Sequence, residues 1–373
     1  MQIGYDAKRF FQNKTGLGNY SRTLLSNLVQ YFPLNEYHLF APKSTELGLA
    51  AVKKLNNVQT HFPTGLLASF PALWRRNLGK NLVVQQLDLY HGLSHEIPNG
   101  LKKIPSVVTV HDVINLKFPQ LYPFIDNLIY KKKLHHACKN ATGIVCISHK
   151  TQQDLIEIFH DKIPNIASKC KVIYQSAGSE FYAKNIDYLA KKNLELPDHF
   201  MLYVGTINER KRLLLLVETL LHLPKEIHLV VLGTGKEYAE KVLSFIHKND
   251  LSGRVHFIKS DNKFDLTQIY SAARVTLNPS IYEGFGLPVL ESLLCGTPVI
   301  TTADSAMAEI AGTSGLYAPS DNLDEFTNAI SRIFHDDHLH QNLVNLIAEN
   351  VSKFQPEHTS SILNNYYKLL IND

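Results

Sequence analysis

Short apolar segments alternate with amphipathic stretches along this chain of 373 residues. The apolar segments are rich in β-branched residues and bounded by turn residues, a pattern typical of buried parallel strands. They are Ser106–Val110, Gly143–Ile147, Phe200–Val204, Ile227–Leu232, Val255–Ile258, Val275–Leu277 and Val299–Thr301. The amphipathic stretches, which predict helices, are Asn19–Tyr31, Thr151–Phe159, Leu213–Leu223, Glu237–Lys248 and Leu323–Phe334. This alternation predicts the α/β class with open, doubly wound sheets.

The chain divides at a segment that lacks strand periodicity. Between Tyr174 and His199 the sequence carries several charges, as linkers do, and the alternation restarts at Phe200. A chain of this length is expected to form two domains. We predict Rossmann-like domains over residues 1–180 and 195–355. The sequence leaves open whether a C-terminal helix, over about residues 356–373, packs back on the first domain.

Composition excludes several classes of protein. The formal net charge of +4 is far below that of a dedicated nucleic-acid-binding protein. The four cysteines form no CxxC pair, which argues against a zinc ribbon or a disulfide framework. No apolar run approaches the ~20 residues of a membrane span, and no signal-peptide pattern follows Met1. We therefore expect a cytoplasmic protein, and we leave open peripheral attachment to a membrane.

The segment Asn278–Ile300, NPSIYEGFGLPVLESLLCGTPVI, carries the most chemical information. A strand ends before it, two glycines form a loop, and Pro288 suits the start of a helix because its missing N–H costs nothing there. The backbone N–H groups from Gly284 to Leu287 would then lie at a helix N-terminus. Such a terminus attracts anions, and glycines let a phosphate approach the backbone closely.

Two glutamates, Glu283 and Glu291, flank this loop. A carboxylate at the carboxyl edge of an α/β sheet can accept hydrogen bonds from vicinal hydroxyl groups. Glu291 is therefore a candidate for binding a ribose, and Glu283 for binding a sugar. A simple turn with two solvated glutamates fits the spacing equally well.

A second candidate follows the strand that ends at Val204. Gly205 permits a tight turn, and Arg210 and Lys211 lie where the next helix is expected to open. Arg can bind a diphosphate through two hydrogen bonds, and Lys binds it as a point charge. For these two cations taken alone, an ordinary polar helix start is the simpler interpretation.

Two weaker candidates lie in the N-terminal half. Gly16 and Gly18 lie in a loop between a first short strand and a helix, which is either a ligand-binding loop or a flexible surface loop. His111 and Asp112 follow the strand Ser106–Val110, at the sheet edge where ligands bind. A lone histidine at such a position is more often a satisfied, partly buried residue.

Taken together, these residues resemble family 4 of the retaining glycosyltransferases, whose GT-B architecture has two Rossmann-like domains facing across a cleft. The resemblance covers nearly the whole chain. Its most specific part is the segment from Glu283 to Glu291, EGFGLPVLE, which matches the family's E-x7-E motif in full. The chain looks most like bacterial enzymes that add mannose or a related sugar during polysaccharide or lipid-linked glycan assembly.

The resemblance implies a retaining transferase that moves a hexose of the mannose or glucose type to a glycan or lipid-linked acceptor. The donor would be a nucleotide-diphosphate sugar, GDP-mannose or a UDP-hexose. His111, near the reacting centre and the acceptor, and Glu283, at the donor sugar, would be catalytic. The donor would be bound by Gly16, Gly18, Arg210, Lys211, Ser260, Gly284, Phe285, Gly286, Leu287 and Glu291.

Within that set, Glu291 would bind the ribose, and Arg210 and Lys211 would neutralise the departing diphosphate. Many relatives carry Arg where this chain has Thr206, so neutralisation would depend on Arg210 and Lys211 alone. We expect no cofactor and no metal ion, since the chain has no D-x-D triplet. The expected partners are the donor and the acceptor, and no nucleic acid.

The first domain is expected to bind the acceptor. Trp74 lies beside Arg75 and Arg76, and three consecutive lysines occupy residues 131–133. An aromatic residue next to cations suits a membrane interface that carries anionic lipid. The alternative is that Trp74 packs in the core and the lysines are solvated.

Two other functions remain open. A GT-B sugar-nucleotide epimerase would bind the same donor but would need further acidic and histidine residues for proton abstraction, and no such pattern is found. A non-catalytic two-domain sugar-binding protein would normally be exported and would carry a signal peptide.

Overall fold

The computed structural model of the protein describes residues 1–101, 104–182, 196–258 and 266–372. The chain folds into two units. The first contains Met1–Gly178 together with Lys353–Asp373, and the second contains Ser179–Ser352. The chain passes from the first unit to the second between Gly178 and Ser179, and returns between Ser352 and Lys353. The C-terminal segment belongs to the first unit.

The first unit is built on a parallel sheet. Its strands are β1 Gln2–Asp6, β2 Glu36–Phe40, β3 Val58–His61, β4 Leu89–Gly92, β5 Ser106–Val110, β6 Gly143–Cys146 and β7 Cys170–Val172. They pair in the order β3-β2-β1-β4-β5-β6-β7, and every neighbouring pair is parallel. Strands β4, β5 and β6 are buried along their whole length, as expected where helices cover both faces of a sheet.

Helices connect these strands and cover the sheet. They are α1 Lys8–Gln12, α2 Gly16–Tyr31, α3 Glu46–Val52, α4 Pro71–Arg76, α5 Ile114–Lys117, α6 Phe124–Asn140, α7 His149–Phe159 and α8 Ile166–Lys169. The C-terminal helix, Pro356–Asn372, packs against α2.

The second unit repeats this plan. Its strands are β8 Phe200–Val204, β9 His228–Leu232, β10 Val255–Ile258, β11 Val275–Asn278, β12 Val299–Thr302 and β13 Gly315–Ala318, in the order β10-β9-β8-β11-β12-β13 and all parallel. Its helices are α9 Leu213–Thr219, α10 Glu237–Lys248, α11 Leu266–Ala272, α12 Leu287–Leu294, α13 Ala306–Ala311, α14 Leu323–His335 and α15 Asp337–Val351. The predicted α/β class with two parallel, doubly wound sheets is confirmed.

The C-terminal helix completes the core of the first unit. Its Leu363 and Tyr367 are buried in the same apolar cluster as β1 and α2. The Tyr367 hydroxyl lies 2.6 Å from His91 Nδ1, and Thr109 Oγ1 lies 2.8 Å from His91 Nε2. Burial lowers the pKa of His91 to about 3, with a further contribution from His111. His91 is therefore a neutral core residue with both ring nitrogens bonded.

Trp74 also lies in a core cluster. It is buried with Phe40, Leu78, Val84, Leu87 and Tyr90. This agrees with the core alternative for Trp74 and not with membrane contact. Across the described ranges, no helix combines the length and the apolar character that a membrane span requires.

The bond between Tyr367 and His91 gives a stability prediction. Tyr367→Phe should lower the free energy of unfolding by about 1–3 kcal/mol, because it leaves a buried imidazole nitrogen without a partner. Tyr366→Phe is the matched control, since the Tyr366 hydroxyl bonds the Lys169 carbonyl at 3.3 Å in a partly buried position. Urea denaturation measures both. Equal losses in the two variants would show that the His91 bond contributes nothing of its own.

Candidate active site

The second sheet reverses its strand order between β8 and β11. The chain runs from β8 outward to β10 and then returns to β11, on the other side of β8. Ligands of α/β sheets bind at such a switch point, beyond the carboxyl ends of the two strands. Arg210 and Lys211 follow β8, and Glu283 follows β11. The topology therefore brings together the two strongest motifs of the sequence.

A short 3₁₀ turn, Glu209–Lys211, presents the two cations. The Asn208 side chain accepts a hydrogen bond from the Lys211 N–H at 3.1 Å, which fixes the start of the turn. Arg212 has a φ of +49°, and α9 begins only at Leu213. The expectation that a helix opens at Arg210 and Lys211 is therefore wrong, because the left-handed conformation of Arg212 separates the turn from the helix.

The Glu283 carboxylate bridges both cations. Its Oε1 lies 2.8 Å from Arg210 Nη1 and 2.9 Å from Lys211 Nζ. Ser280 Oγ lies 3.2 Å from the same oxygen. Arg210 Nη1 also donates to the Tyr282 carbonyl at 2.6 Å, which ties the cation to the loop after β11.

Charge determines the protonation state of Glu283. Burial alone would raise the pKa of its carboxyl group, but the charges and hydrogen bonds of Lys211 and Arg210 outweigh burial and lower the pKa to about 2. Glu283 is therefore ionised at neutral pH. The side chain is 18% exposed, so the bridging carboxylate remains accessible from solvent.

The glycine loop ends at the N-terminus of α12. Gly286 is the N-cap residue with a φ of +105°, and a Cβ atom there would lie 2.8 Å from Met307 Cγ. Both facts require glycine at this position. Pro288 is the second residue of the helix, one position later than expected. The Val289 N–H already bonds the Gly286 carbonyl at 2.9 Å and Pro288 has no N–H, so the Leu287 N–H and the helix dipole are what this terminus offers to a bound anion. Leu287 is the first residue of this helix, and Gly284 and Phe285 lie in the loop before it.

Glu291 lies inside α12 and accepts a hydrogen bond from the buried Tyr270 hydroxyl at 2.9 Å. Burial raises the pKa of Glu291 to about 7; the Tyr270 bond and Lys211 lower it, and Glu180 adds to the increase. Lys211 therefore acts on both glutamates of the motif. At neutral pH the two differ: Glu283 is fully ionised, whereas Glu291 is partly protonated.

Three of these groups were not identified from the sequence. Tyr270 and Ser280 each bond one of the glutamate carboxylates, and Asn208 accepts from the backbone N–H of Lys211. Asn208 precedes a predicted helix start and could have been found as a capping residue. The bond from Tyr270 to Glu291 has no local sequence signal, because it depends on how α11 packs against α12.

His111 lies in the first unit and is buried. Its Nε2 lies 2.8 Å from the Leu93 carbonyl, so Nε2 carries the proton, and its backbone N–H donates to His95 Nε2 at 2.7 Å. Burial lowers the pKa of His111 to about 3, and His95 adds to this effect. The imidazole is therefore neutral, with Nδ1 as the acceptor atom. The packing fits a satisfied histidine, and its catalytic role stays a prediction.

Gly16 and Gly18 also lie in the first unit. The helix α2 already begins at Gly16, so both glycines lie in its first turn and not in a loop, which corrects the expectation. A Cβ atom at Gly18 would overlap the Asn13 carbonyl oxygen, whereas Gly16 faces open space. Close packing against Asn13 therefore accounts for Gly18, and contact of either glycine with a donor stays a prediction.

Ser260, which was expected to contribute to donor binding, lies outside the described residues. Within the ranges that the structure does describe, no three His, Cys, Asp or Glu side chains are grouped as a metal site would require.

Comparison with known proteins shows what the chain is similar to. Residues 185–349, most of the second unit and all of its motifs, match the family model described as glycosyl transferases group 1. The O-antigen chain mannosyltransferase B of Escherichia coli is 26% identical to the chain, over 95% of this chain and 96% of that protein.

Solved structures extend the likeness to both units. The glycosyltransferase chain superposes on Anabaena HepE, solved with UDP and glucose, with a TM-score of 0.78 at 17% identity, over 99% of this chain and 100% of that one. Sucrose-phosphate synthase from Thermosynechococcus elongatus gives a TM-score of 0.77 at 20% identity, over 100% and 99%. The protein has the GT-B fold and resembles bacterial mannosyltransferases.

The raised pKa of Glu291 predicts how stability depends on pH. Between the ordinary value of 4.5 and about 7, the folded protein holds a proton on Glu291 that the unfolded chain releases. Stability should therefore fall as pH rises through this window, by roughly 2–3 kcal/mol from this group. Glu291→Gln should remove that part of the decrease, as measured by urea denaturation at several pH values, and exposed Glu240→Gln should not. Parallel curves for the wild type and Glu291→Gln would contradict the buried, protonated carboxyl group.

Proposed function

We propose that this glycosyltransferase moves a hexose of the mannose or glucose type from a nucleotide-diphosphate sugar to a glycan or lipid-linked acceptor, with retention of the anomeric configuration. The observation that carries the proposal is the pair Arg210 and Lys211, both within 2.9 Å of Glu283, beside the N-terminus of α12. Two cations and a helix N-terminus at one sheet edge suit a diphosphate. The likeness to the O-antigen mannosyltransferase favours mannose over glucose.

The charges assign the roles at the donor. When the bond between the anomeric carbon and the diphosphate oxygen breaks, negative charge grows on the diphosphate, where Arg210 and Lys211 stabilise it. The acceptor oxygen bonds to the anomeric carbon on the same face, and its proton passes to the leaving diphosphate. This chemistry uses protein cations and requires no metal ion.

The two glutamates bind hydroxyl groups of the donor. Oε1 of Glu283 is occupied by the cations and Ser280, whereas Oε2 has no hydrogen-bond partner among the described residues and is available to a sugar hydroxyl. Glu291 accepts from the ribose hydroxyls as a carboxylate. We place the enzyme at the cytoplasmic face of a membrane as a peripheral protein. Exposed Phe124 and Ile125 at the start of α6, which are 82% and 68% exposed, support this placement.

Product analysis tests the function. The full chain is incubated with GDP-mannose, UDP-glucose or UDP-N-acetylglucosamine, with and without a glycan acceptor. If the enzyme transfers the sugar, nucleoside diphosphate should be released only when the acceptor is present. One of the three donors should give more of it than the other two. An epimerase would convert the donor without an acceptor, and a binding protein would release nothing, so either result would overturn the proposal.

The cations should act more in the transition state than in donor binding. Lys211→Gln or Arg210→Gln should lower kcat/KM by about 10²-fold or more, because charge on the leaving group grows as the bond breaks. Donor binding, measured by calorimetry, should weaken less. Exposed Lys241→Gln on α10 is the control. Equal losses of kcat/KM and of donor affinity would show that the cations only bind the donor.

Glu291 should make nucleotide binding depend on pH. Glu291→Gln should weaken nucleoside diphosphate binding by about 1.5–3 kcal/mol, the range for a hydrogen bond to a charged group. In the wild type, binding should tighten as pH rises through about 7, because only the ionised carboxylate accepts from both hydroxyls. Calorimetry at pH 6 and pH 8 would show no such change in the variant. Unchanged affinity in Glu291→Gln would remove the ribose role.

The role of His111 is separable from its packing. His111→Ala should leave nucleoside diphosphate binding nearly intact, because the nucleotide is assigned to the second unit. Transfer should fall by about 10²-fold or more if Nδ1 accepts a hydrogen bond from a reacting or orienting hydroxyl. A lower Tm with near-normal kcat at low temperature would instead assign His111 to the core.

A further inference from the structure

The first sheet has a switch point of its own, between β1 and β4. A cavity of about 520 Å³ lies there, bounded by the residues that follow these two strands and by α4 and α6. None of the residues assigned to the donor lines it. By the rule that places ligands at switch points, this cavity is a second candidate binding site in the protein.

The charges around the cavity do not cancel. Its two carboxylates are both occupied: Arg75 Nη2 lies 2.6 Å from Asp6 Oδ2 and 2.8 Å from Glu96 Oε2. Lys133 Nζ lies 3.0 Å from the other oxygen of Glu96.

Three more cations, Lys8, Arg76 and Lys132, line the same cavity. Within the described part of the chain, none of the three forms an ion pair. The cavity therefore holds an excess of positive charge.

Two polar atoms of the wall have no hydrogen-bond partner in the part of the chain that the structure describes. Tyr90 is fully buried and lines the cavity, and its hydroxyl makes no hydrogen bond within the described residues. The Nε2 atom of His136 on α6 is buried and likewise has no partner among the residues described. A buried polar group without a hydrogen bond is costly. Its presence beside a cavity therefore points to a ligand that brings a hydrogen-bond acceptor atom to it.

The electrostatics of Lys8 agree with this. Burial lowers its pKa, and the neighbouring Arg75 lowers it further. Lys8 thus lies partly out of water in a positive field, where an anion would stabilise its charge.

We propose that this cavity binds the phosphate group of a lipid-linked acceptor. Phosphate oxygens accept hydrogen bonds from the Tyr90 hydroxyl and charge-assisted bonds from Lys8, Arg76 and Lys132. The proposal extends the proposed function, since it assigns a site to the acceptor of that reaction.

The helices that form the walls of the cavity also expose apolar side chains, which indicates that the phosphate belongs to a lipid. The helix α6 lines the cavity with Lys132 and His136, and it also exposes Phe124, Ile125, Leu128 and Ile129 at its start. The helix α4 lines the cavity with Arg75 and Arg76 and exposes Leu73. Exposed apolar side chains beside a basic cavity complement a molecule with an apolar chain and a phosphate head group.

The test measures binding of farnesyl diphosphate and of inorganic pyrophosphate to the full chain by calorimetry. Lys132→Gln and Tyr90→Phe should each weaken farnesyl diphosphate binding by about threefold to tenfold, the effect of one lost hydrogen bond or partly exposed charge. Lys131→Gln is the matched control, because Lys131 is an exposed lysine of the same helix that does not line the cavity. It should change affinity by less than about twofold. Tyr90→Phe should not lower the Tm, since the lost hydroxyl has no partner.

Two results would contradict a site in this cavity: no saturable binding of farnesyl diphosphate to the wild type, or equal losses of affinity in Lys131→Gln and Lys132→Gln. Loss of binding in Lys211→Gln would also contradict it, because that result would place the ligand in the second unit. If pyrophosphate binds as tightly as farnesyl diphosphate, the lipid chain contributes nothing to binding. That result would contradict a lipid-linked acceptor and indicate a soluble phosphorylated one. Weaker farnesyl diphosphate binding in a Phe124→Ser, Ile125→Ser double variant would support the lipid. The chain could bind farnesyl diphosphate as expected but show neither nucleoside diphosphate binding nor transfer. That result would contradict the proposed function and leave the phosphate site standing.

Discussion

Arg210 and Lys211 can lie side by side at the edge of the second sheet because the Glu283 carboxylate lies between them. One oxygen atom is within 2.9 Å of both cations, and without it their charges would repel each other in a partly buried place. The dependence is mutual, because the cations keep Glu283 ionised despite its burial. Asn208 and Ser280 serve this cluster, one by fixing the turn that carries the cations and the other by bonding the carboxylate.

The same topology produces a polar edge in each unit. In both sheets the order of the strands reverses beside the first strand, although all strands stay parallel. The segments that follow the two adjacent strands meet at this point. In the second unit they bring together Glu283 and two cations, and in the first unit Asp6, Glu96 and Arg75. Each edge is therefore organised around a carboxylate paired with an arginine. The surroundings differ: one unit has a glycine loop and a helix N-terminus, and the other has cations and buried polar atoms that lack partners among the described residues.

The sequence predicted the fold wherever burial leaves a clear pattern. All seven apolar segments form strands, and all but β10 are buried almost throughout, as strands covered on both faces of a sheet must be. Strands β2 (EYHLF), β3 (VQTH), β7 (CKV) and β13 (GLYA) were missed. The strands β3, β7 and β13 are short and partly exposed, and β2 has a glutamate and a histidine among its apolar residues. Gly16 and Gly18 suggested a loop because glycine is a poor helix former, and the contact with Asn13 that requires Gly18 is not visible in the sequence.

The candidate site was predictable to the extent that it is local. The loop from Glu283 to Glu291 follows from glycines, a proline and strand ends, and its geometry agrees with the expectation apart from the position of Pro288. The ion pairs of Glu283 could not be predicted, because Arg210 is far away in sequence and only the pairing of β8 with β11 brings it close. The left-handed Arg212 and the bond from Tyr270 to Glu291 depend on tertiary packing in the same way.

The position of the C-terminal helix also has a consequence for synthesis of the chain. The second unit is a continuous segment, Ser179–Ser352, whereas the first unit consists of two segments separated by it. During translation the core of the first unit therefore lacks Leu363 and Tyr367, and His91 lacks one of its two partners, until the final helix has left the ribosome. The second unit is synthesised completely before the C-terminal helix is made. The domain that is made first is thus the one that must wait longest to complete its core.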